Sequence, residues 1–194
     1  MDYDKFQMNL VGSIDACQKG LNLTTPPGGW KRYTKFTGDV ACRAIQFYLN
    51  EHFIDKTKFK VVGPNAWIQT LSNELDLLIV RKDAEPMQFS NLYPAKEVIA
   101  AIEVKTNGVF SIGALDRQVK LFDDIKKRFP QVDCLYISLS ETAPKKPTSQ
   151  NYVKITRDKL ESGGNGVFIF RNTRTKEYFP GELEKLVNRI KEYR

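Results

Sequence analysis

The hydrophobic pattern changes period along the chain. Short apolar runs occupy its middle: KFKVV (58–62), LDLLIV (75–80), EVIAAIEVK (97–105) and VDCLYISLS (132–140). Runs of this length between polar stretches are too short for buried helices and read as strands covered on both faces. AWIQTL (66–71) reads as a further short strand, and GVFIFRNTRTKEYF (166–179) as a strand or hairpin. Helical periods lie on either side. In DVACRAIQFYLNEHF (39–53), Val40, Ala44 and Phe47, with Ala41, Ile45 and Tyr48 one step round, make an apolar stripe opposite Asp39, Arg43, Gln46 and Asn50. In SIGALDRQVKLFDDIKKRF (111–129), Ile112, Leu115, Val119, Phe122 and Ile125 point inward and Pro130 ends the helix.

The termini add less regular pieces. YDKFQMNLVGSIDAC (3–17) predicts a short amphipathic helix, and TTPPGGWKRYTKFTG (24–38) a loop punctuated by Pro and Gly. RKDAEPMQFSNLYPAK (81–96) and APKKPTSQN (143–151) read as loops, GGNG (163–166) as a turn, and PGELEKLVNRIKEYR (180–194) as a closing helix with Pro180 at its start. The order of helix, strands, helix and strand predicts an α/β fold: a central mixed sheet flanked by helices. The expectation is one domain over 1–194, with a core at about 38–140 and peripheral elements at 1–37 and 141–194.

Two strands break their own pattern. Asp76 interrupts LDLLIV, and Glu103 and Lys105 close the apolar run IAAIEVK. Alternation places Ile99, Ala101, Glu103 and Lys105 on one face and Val98, Ala100, Ile102 and Val104 on the other. An unpaired buried charge costs several kcal/mol, on the order of 3–5 when a partner is missing. If the two strands lie side by side, Asp76, Glu103 and Lys105 converge at one end of the sheet. Convergent carboxylates raise each other's pKa unless a cation lies between them. Hard oxygen ligands of this kind suit Mg²⁺ completed by waters and a substrate phosphate. A plain ion pair tying the strands together is the structural alternative, but three such groups are more easily explained by a site.

Composition narrows the chemistry. The 194 residues are 41% hydrophobic and 27% charged, which suits an ordinary globular protein. The net charge of +7 favours a polyanionic partner, nucleic acid first. Cys17, Cys42 and Cys134 are scattered and odd in number, which argues against a disulfide framework or zinc site and suits a reducing cytosol. His52 is the single histidine, read as a surface helix residue, so carboxylates and a lysine must carry any acid–base chemistry. The polar, acidic start does not resemble a signal peptide, and no apolar run approaches the roughly 20 residues that span a bilayer. A cytoplasmic location is therefore expected.

Asp76 in one strand, Glu103-Val104-Lys105 closing the next, then a helix and the VDCLYISLS strand resemble the PD-(D/E)XK nuclease superfamily. The likeness covers roughly residues 38 to 140, and Leu75 stands where the family often has proline. It implies the restriction endonuclease-like fold, with an αβββαβ core, and a Mg²⁺-dependent deoxyribonuclease in which Mn²⁺ substitutes. Asp76 and Glu103 would bind metal and Lys105 would position the attacking water. Asp39 or Glu74 would complete the ligand set, with Glu51 as the alternative; Gln118, four residues before Phe122, would lie near the site.

For the nucleic acid, Asn107, Thr106 and Ser111 follow the motif and would flank a phosphate. Lys31, Arg32 and Lys35, interleaved with Trp30, Tyr33 and Phe36, join Arg43, Lys120 and Lys145-Lys146 as candidate backbone contacts. Lys126-Lys127-Arg128 reads instead as a solvated helix end. DNA is favoured over RNA, and a homodimer is expected if both strands are cut, the role being restriction or defence. A non-catalytic nucleic-acid-binding subunit of the same fold is the rival.

Overall fold

The computed structural model describes residues 2–22, 30–88, 90–106, 112–141 and 151–194. Helix α1 covers Tyr3–Asn22 and α2 covers Trp30–Tyr48, which runs into a π-helical turn at Leu49–Phe53. Five strands form the main sheet: β1 (Phe59–Val62), β3 (Leu77–Arg81), β5 (Val98–Lys105), β6 (Asp133–Ser138) and β7 (Gly166–Ile169), in the order β1-β3-β5-β6-β7. β1, β3 and β5 pair antiparallel, while β5, β6 and β7 run parallel. The crossover from β5 to β6 is α3 (Ile112–Arg128), and α4 (Tyr152–Glu161) leads into β7. Two short strands, β2 (Trp67–Ile68) and β4 (Leu92–Tyr93), form a separate parallel pair, and α5 (Glu182–Lys191) closes the chain. The central mixed sheet with helices against it is the α/β fold that the apolar runs predict.

Each face of the sheet buries its own core. Leu77, Ile79, Ala100, Ile102, Val104 and Ile137 pack with α1, α2 and α5 through Leu10, Ile45, Leu49 and Leu186. Leu78, Val80, Ala101, Cys134 and Tyr136 pack with α3 through Leu115, Phe122 and Ile125. A fully buried Leu or Ile contributes about 1.5–3 kcal/mol, so the apolar central strands supply a large share of the burial that holds the fold. The ladder slips once: Ile79 stands opposite Ala100 and Val80 opposite Val98, so Ile99 is an extra residue. Val98 thereby shares a core with Ala101, and strict alternation holds only from Ala100 onward.

Both outer strands are capped by side chains. Asn50 accepts the Val61 N–H at 2.9 Å and donates to the Val61 carbonyl at 3.0 Å. Gln46 donates to the same carbonyl at 3.1 Å. On β7, the buried Glu182 accepts the Ile169 N–H at 3.0 Å, and Arg157 donates to the Val167 carbonyl at 3.2 Å.

Several expectations need correction. Residues 30–38 are helical rather than loop; the prolines and paired glycines end at Gly29, and helix α2 runs straight through Gly38. Phe47 is 59% exposed, and the inner stripe of α2 is Ala41, Cys42 and Ile45, continued by Leu49 in the π-helical turn. On α3, Ile112 is 41% exposed whereas Gln118 is buried. The pattern also missed α4 and the β4 strand inside the 81–96 loop. No helix among the described residues is long and apolar enough to cross a membrane.

Candidate active site

The register of β3 against β5 decides which side chains meet. Leu77 stands opposite Ile102, so the chain just before β3 brings Asp76 level with Glu103. One Asp76 carboxylate oxygen accepts the backbone N–H of Val104 at 2.7 Å, which fixes the side chain across the end of the two strands. Lys105, two residues past Glu103 on the same face, donates from Nζ to Glu103 Oε1. On the parallel side Glu103 stands opposite Tyr136 and Lys105 opposite Ser138. Asp76, Glu103 and Lys105 are therefore brought together, at the C-terminal end of β5.

A cavity of about 300 Å³ opens beside them. Its wall contains Asp39 and Cys42 from α2, Asn65, Glu74, Asp76, Val104, Lys105 and Thr106. Glu103 lies behind this wall, with 12% of its side chain exposed against 35% for Lys105. The carboxylate is therefore shielded while the ammonium reaches solvent.

Electrostatics reflects this crowding. Burial first, then the charge of Asp76, pushes Glu103 up to about 7, against the pull of Lys105. Burial also raises Asp76; Lys105 and the Val104 N–H pull it back, and Glu74 and Asp39 add to the rise. Burial acts against the Lys105 ammonium, but the Glu103 and Asp76 carboxylates outweigh it and hold its pKa above the ordinary value. The Cys42 thiol is driven far up by burial, then by Asp76, Glu103 and Asp39, so it stays protonated. The cavity thus has an excess of negative potential that a cation would relieve.

The donor set suits a hard divalent cation. Asp39, Glu74 and Asp76 present oxygen in one cavity, and protonated Cys42 offers no thiolate. Among the described residues no three Asp, Glu, His or Cys side chains converge tightly enough to enclose an ion alone.

The remaining candidates separate. Asp39 and Glu74 line the cavity, whereas Glu51 is paired with Lys56 at 3.0 Å on the surface. Thr106 is in the wall and Arg43 is exposed on α2. Gln118 is buried on the inner face of α3, its Nε2 without a partner among the described residues. Lys31, Arg32 and Lys35 lie on the first turns of α2, their side chains outside the described set; Asn107, Ser111 and Lys145-Lys146 fall outside the described residues altogether. Lys126 donates to the Gly163 carbonyl at 2.6 Å, as suits a helix end. His52 is exposed beside Phe6, Tyr48 and Phe53.

Sequence reasoning missed Asn65. Its signal was GPN, a Gly-Pro turn between two strands, whose backbone reaches the Asp76 segment only in three dimensions.

The strand order and crossover helix are those of the restriction endonuclease-like fold. The structure is similar over nearly its whole length to solved NucC structures. NucC of P. aeruginosa ATCC27853 in its cAAA-bound form gives a TM-score of 0.62 at 10% identity, covering 98% of this chain and 91% of that one. NucC of E. coli MS115-1 gives 0.62 at 11% in its cAAA-bound form, covering 98% and 90%. Its apo form gives 0.57 at 11%, covering 99% and 92%. No family model matches the sequence, and none of the curated proteins matches it.

Proposed function

We propose that the chain is a Mg²⁺-dependent nuclease that hydrolyses DNA phosphodiester bonds, an endonuclease of the restriction or defence type. The observation that carries this reading is the Asp76–Val104 hydrogen bond, which sets Asp76 beside the Glu103–Lys105 pair at the rim of an acidic cavity. The fold shared with the NucC structures is compatible with this reading.

Each residue has a distinct part. Asp76, with one oxygen held by Val104, has the other available for an ion, and Asp39 and Glu74 are the further oxygen donors in the cavity. A divalent cation held by these carboxylates would supply charge stabilisation at the phosphoryl oxygens and a lowered pKa for a bound water. Glu103 holds Lys105 through its Oε1 and helps keep the Lys105 ammonium charged. Lys105 orients the attacking water or donates to the phosphoryl oxygen as charge grows, an arrangement that needs no reorganisation at the moment of reaction. The +7 charge brings the polyanion to the site, with Lys31, Arg32, Lys35 and Arg43 as backbone contacts. The protein acts on DNA in the cytoplasm, and a homodimer supplies the two sites that a double-strand cut requires.

The test is plasmid incubated with purified protein and Mg²⁺ or Mn²⁺, with and without chelator. Because two of the similar NucC structures are cAAA-bound forms, every reaction is run with and without cAAA. Nicking that needs the metal and vanishes in Glu103→Ala and Lys105→Ala is the expected result. Tight, salt-sensitive binding without cleavage of DNA or RNA under any of these conditions would overturn catalysis in favour of the binding subunit.

A further inference from the structure

The cavity that holds Asp39, Glu74, Asp76 and Lys105 has a carboxamide residue, Asn65, in its wall. Asn65 is half-buried, and its backbone carbonyl accepts from Asn91 Nδ2 at 3.5 Å, while its own side-chain amide makes no hydrogen bond to a described residue. Its backbone is left-handed, with φ 62°. Two residues earlier Gly63 has φ 133°, and a Cβ there would lie 2.5 Å from the Asp76 carbonyl and 2.8 Å from Leu77 Cδ2. The turn is therefore pressed directly onto the segment that carries Asp76. This contact restricts how far Asn65 can move relative to that carboxylate.

A phosphodiester entering the cavity meets three carboxylates and one ammonium already engaged by Glu103. Its non-bridging oxygens need donors that do not alter the charge balance an ion requires. A carboxamide supplies two such hydrogens. Left-handed backbone in a non-glycine residue is strained and clusters where a site imposes it. We propose that Asn65 is a substrate-binding residue: its Nδ2 donates to a phosphate oxygen of the nucleic-acid strand lying in the cavity, and the 63–65 turn holds it there. The inference rests on the nuclease reading above.

Asn also tolerates left-handed backbone better than most residues, so a purely conformational role is the rival explanation. Three variants separate the two. Asn65→Gly keeps the backbone conformation and removes the amide; Asn65→Ala removes both; Asn65→Asp keeps the shape and adds a fourth negative charge. Affinity for a short duplex DNA is read by fluorescence anisotropy in Ca²⁺, cleavage of the same duplex in Mg²⁺, and folding by thermal melt. Asn65→Gly and Asn65→Ala should each weaken binding about tenfold and raise KM to match, as expected for one hydrogen bond to a charged group. Asn65→Asp should weaken it further, and the Gly variant should melt with the wild type. Asn65→Gly within twofold of wild type in affinity and KM overturns the proposal while leaving the nuclease reading intact. If wild-type protein neither binds nor cuts DNA or RNA, with or without cAAA, the nuclease reading fails and the role of Asn65 falls with it.

Discussion

Asp76 is bonded to the backbone of Val104 at 2.7 Å, so a side chain from the edge of β3 accepts from the very segment that carries the E-x-K. This bond makes Asp76 both a ligand candidate and a structural tie. Asp76→Asn and Asp76→Ala should both abolish cleavage, but they should differ in stability. The amide retains an acceptor for the Val104 N–H, whereas alanine leaves it unpaired, a cost of about 1–3 kcal/mol. Urea unfolding of the two variants checks this; equal midpoints would show that the bond does not hold in solution.

Lys105 should matter for rate rather than for fold or affinity. Lys105→Met removes the donor at the cavity rim while keeping its aliphatic length. Loss of one preorganised donor to developing charge costs about 10²–10³ in rate. Single-turnover cleavage should drop by that order with duplex affinity within a few-fold of wild type.

The metal-free protein should lose stability as pH rises from about 4.5 towards 7. Glu103, raised by burial and by Asp76 to about 7 from an ordinary 4.5, holds a proton in the folded state that the unfolded chain has released. The folded state binds more protons in that window, so the slope of unfolding free energy against pH is negative, up to about 1.4 kcal/mol per pH unit. Asp76, raised in the same direction, acts in the same sense. Chemical denaturation between pH 4 and 8 should show this decline, and Glu103→Gln should flatten it. A saturating divalent cation should flatten it too.

Gly63→Ala should destabilise the fold and disturb the site together. The new Cβ would come within 2.5 Å of the Asp76 carbonyl, at a φ of 133° that L residues rarely adopt. A loss of roughly 1–3 kcal/mol or more is expected from the backbone alone. Cleavage should fall more than this loss predicts at a temperature where the variant is still folded, because Asp76 moves with the clash.

Asn50→Ala should cost about 1–3 kcal/mol, since the exchange of bonds with both backbone groups of Val61 is lost and buried polar groups are left unpaired. Light scattering during the melt should rise earlier than in wild type.

Much of this was legible from local pattern. The buried strands could be read because central strands of a covered sheet are apolar throughout, and the meeting of Asp76 with Glu103 and Lys105 followed from strand adjacency and side-chain alternation. The start of α2 was not legible, because Gly38 reads as a stop although an open helix face tolerates it at about 1 kcal/mol. The exposure of Phe47 and burial of Gln118 were hidden for a related reason: which face turns inward is set by neighbouring elements, not by the helix alone. Ile99 shows the same limit in a strand, where one extra residue reverses the faces and nothing in the apolar run marks it. The place of Asn65 in the cavity wall was hidden because it depends on a long-range approach of Gly63 to the Asp76 segment.

The capped outer strands have a consequence for how the molecule can meet another copy of itself. At Val61 on one side and Val167 and Ile169 on the other, the groups that a foreign strand would need are already occupied by Asn50, Gln46, Arg157 and Glu182. A second chain cannot continue the sheet at these positions without first evicting those side chains. Self-association is thereby steered away from open-ended ribbon growth and towards helix faces and loops, where an assembly can close on itself.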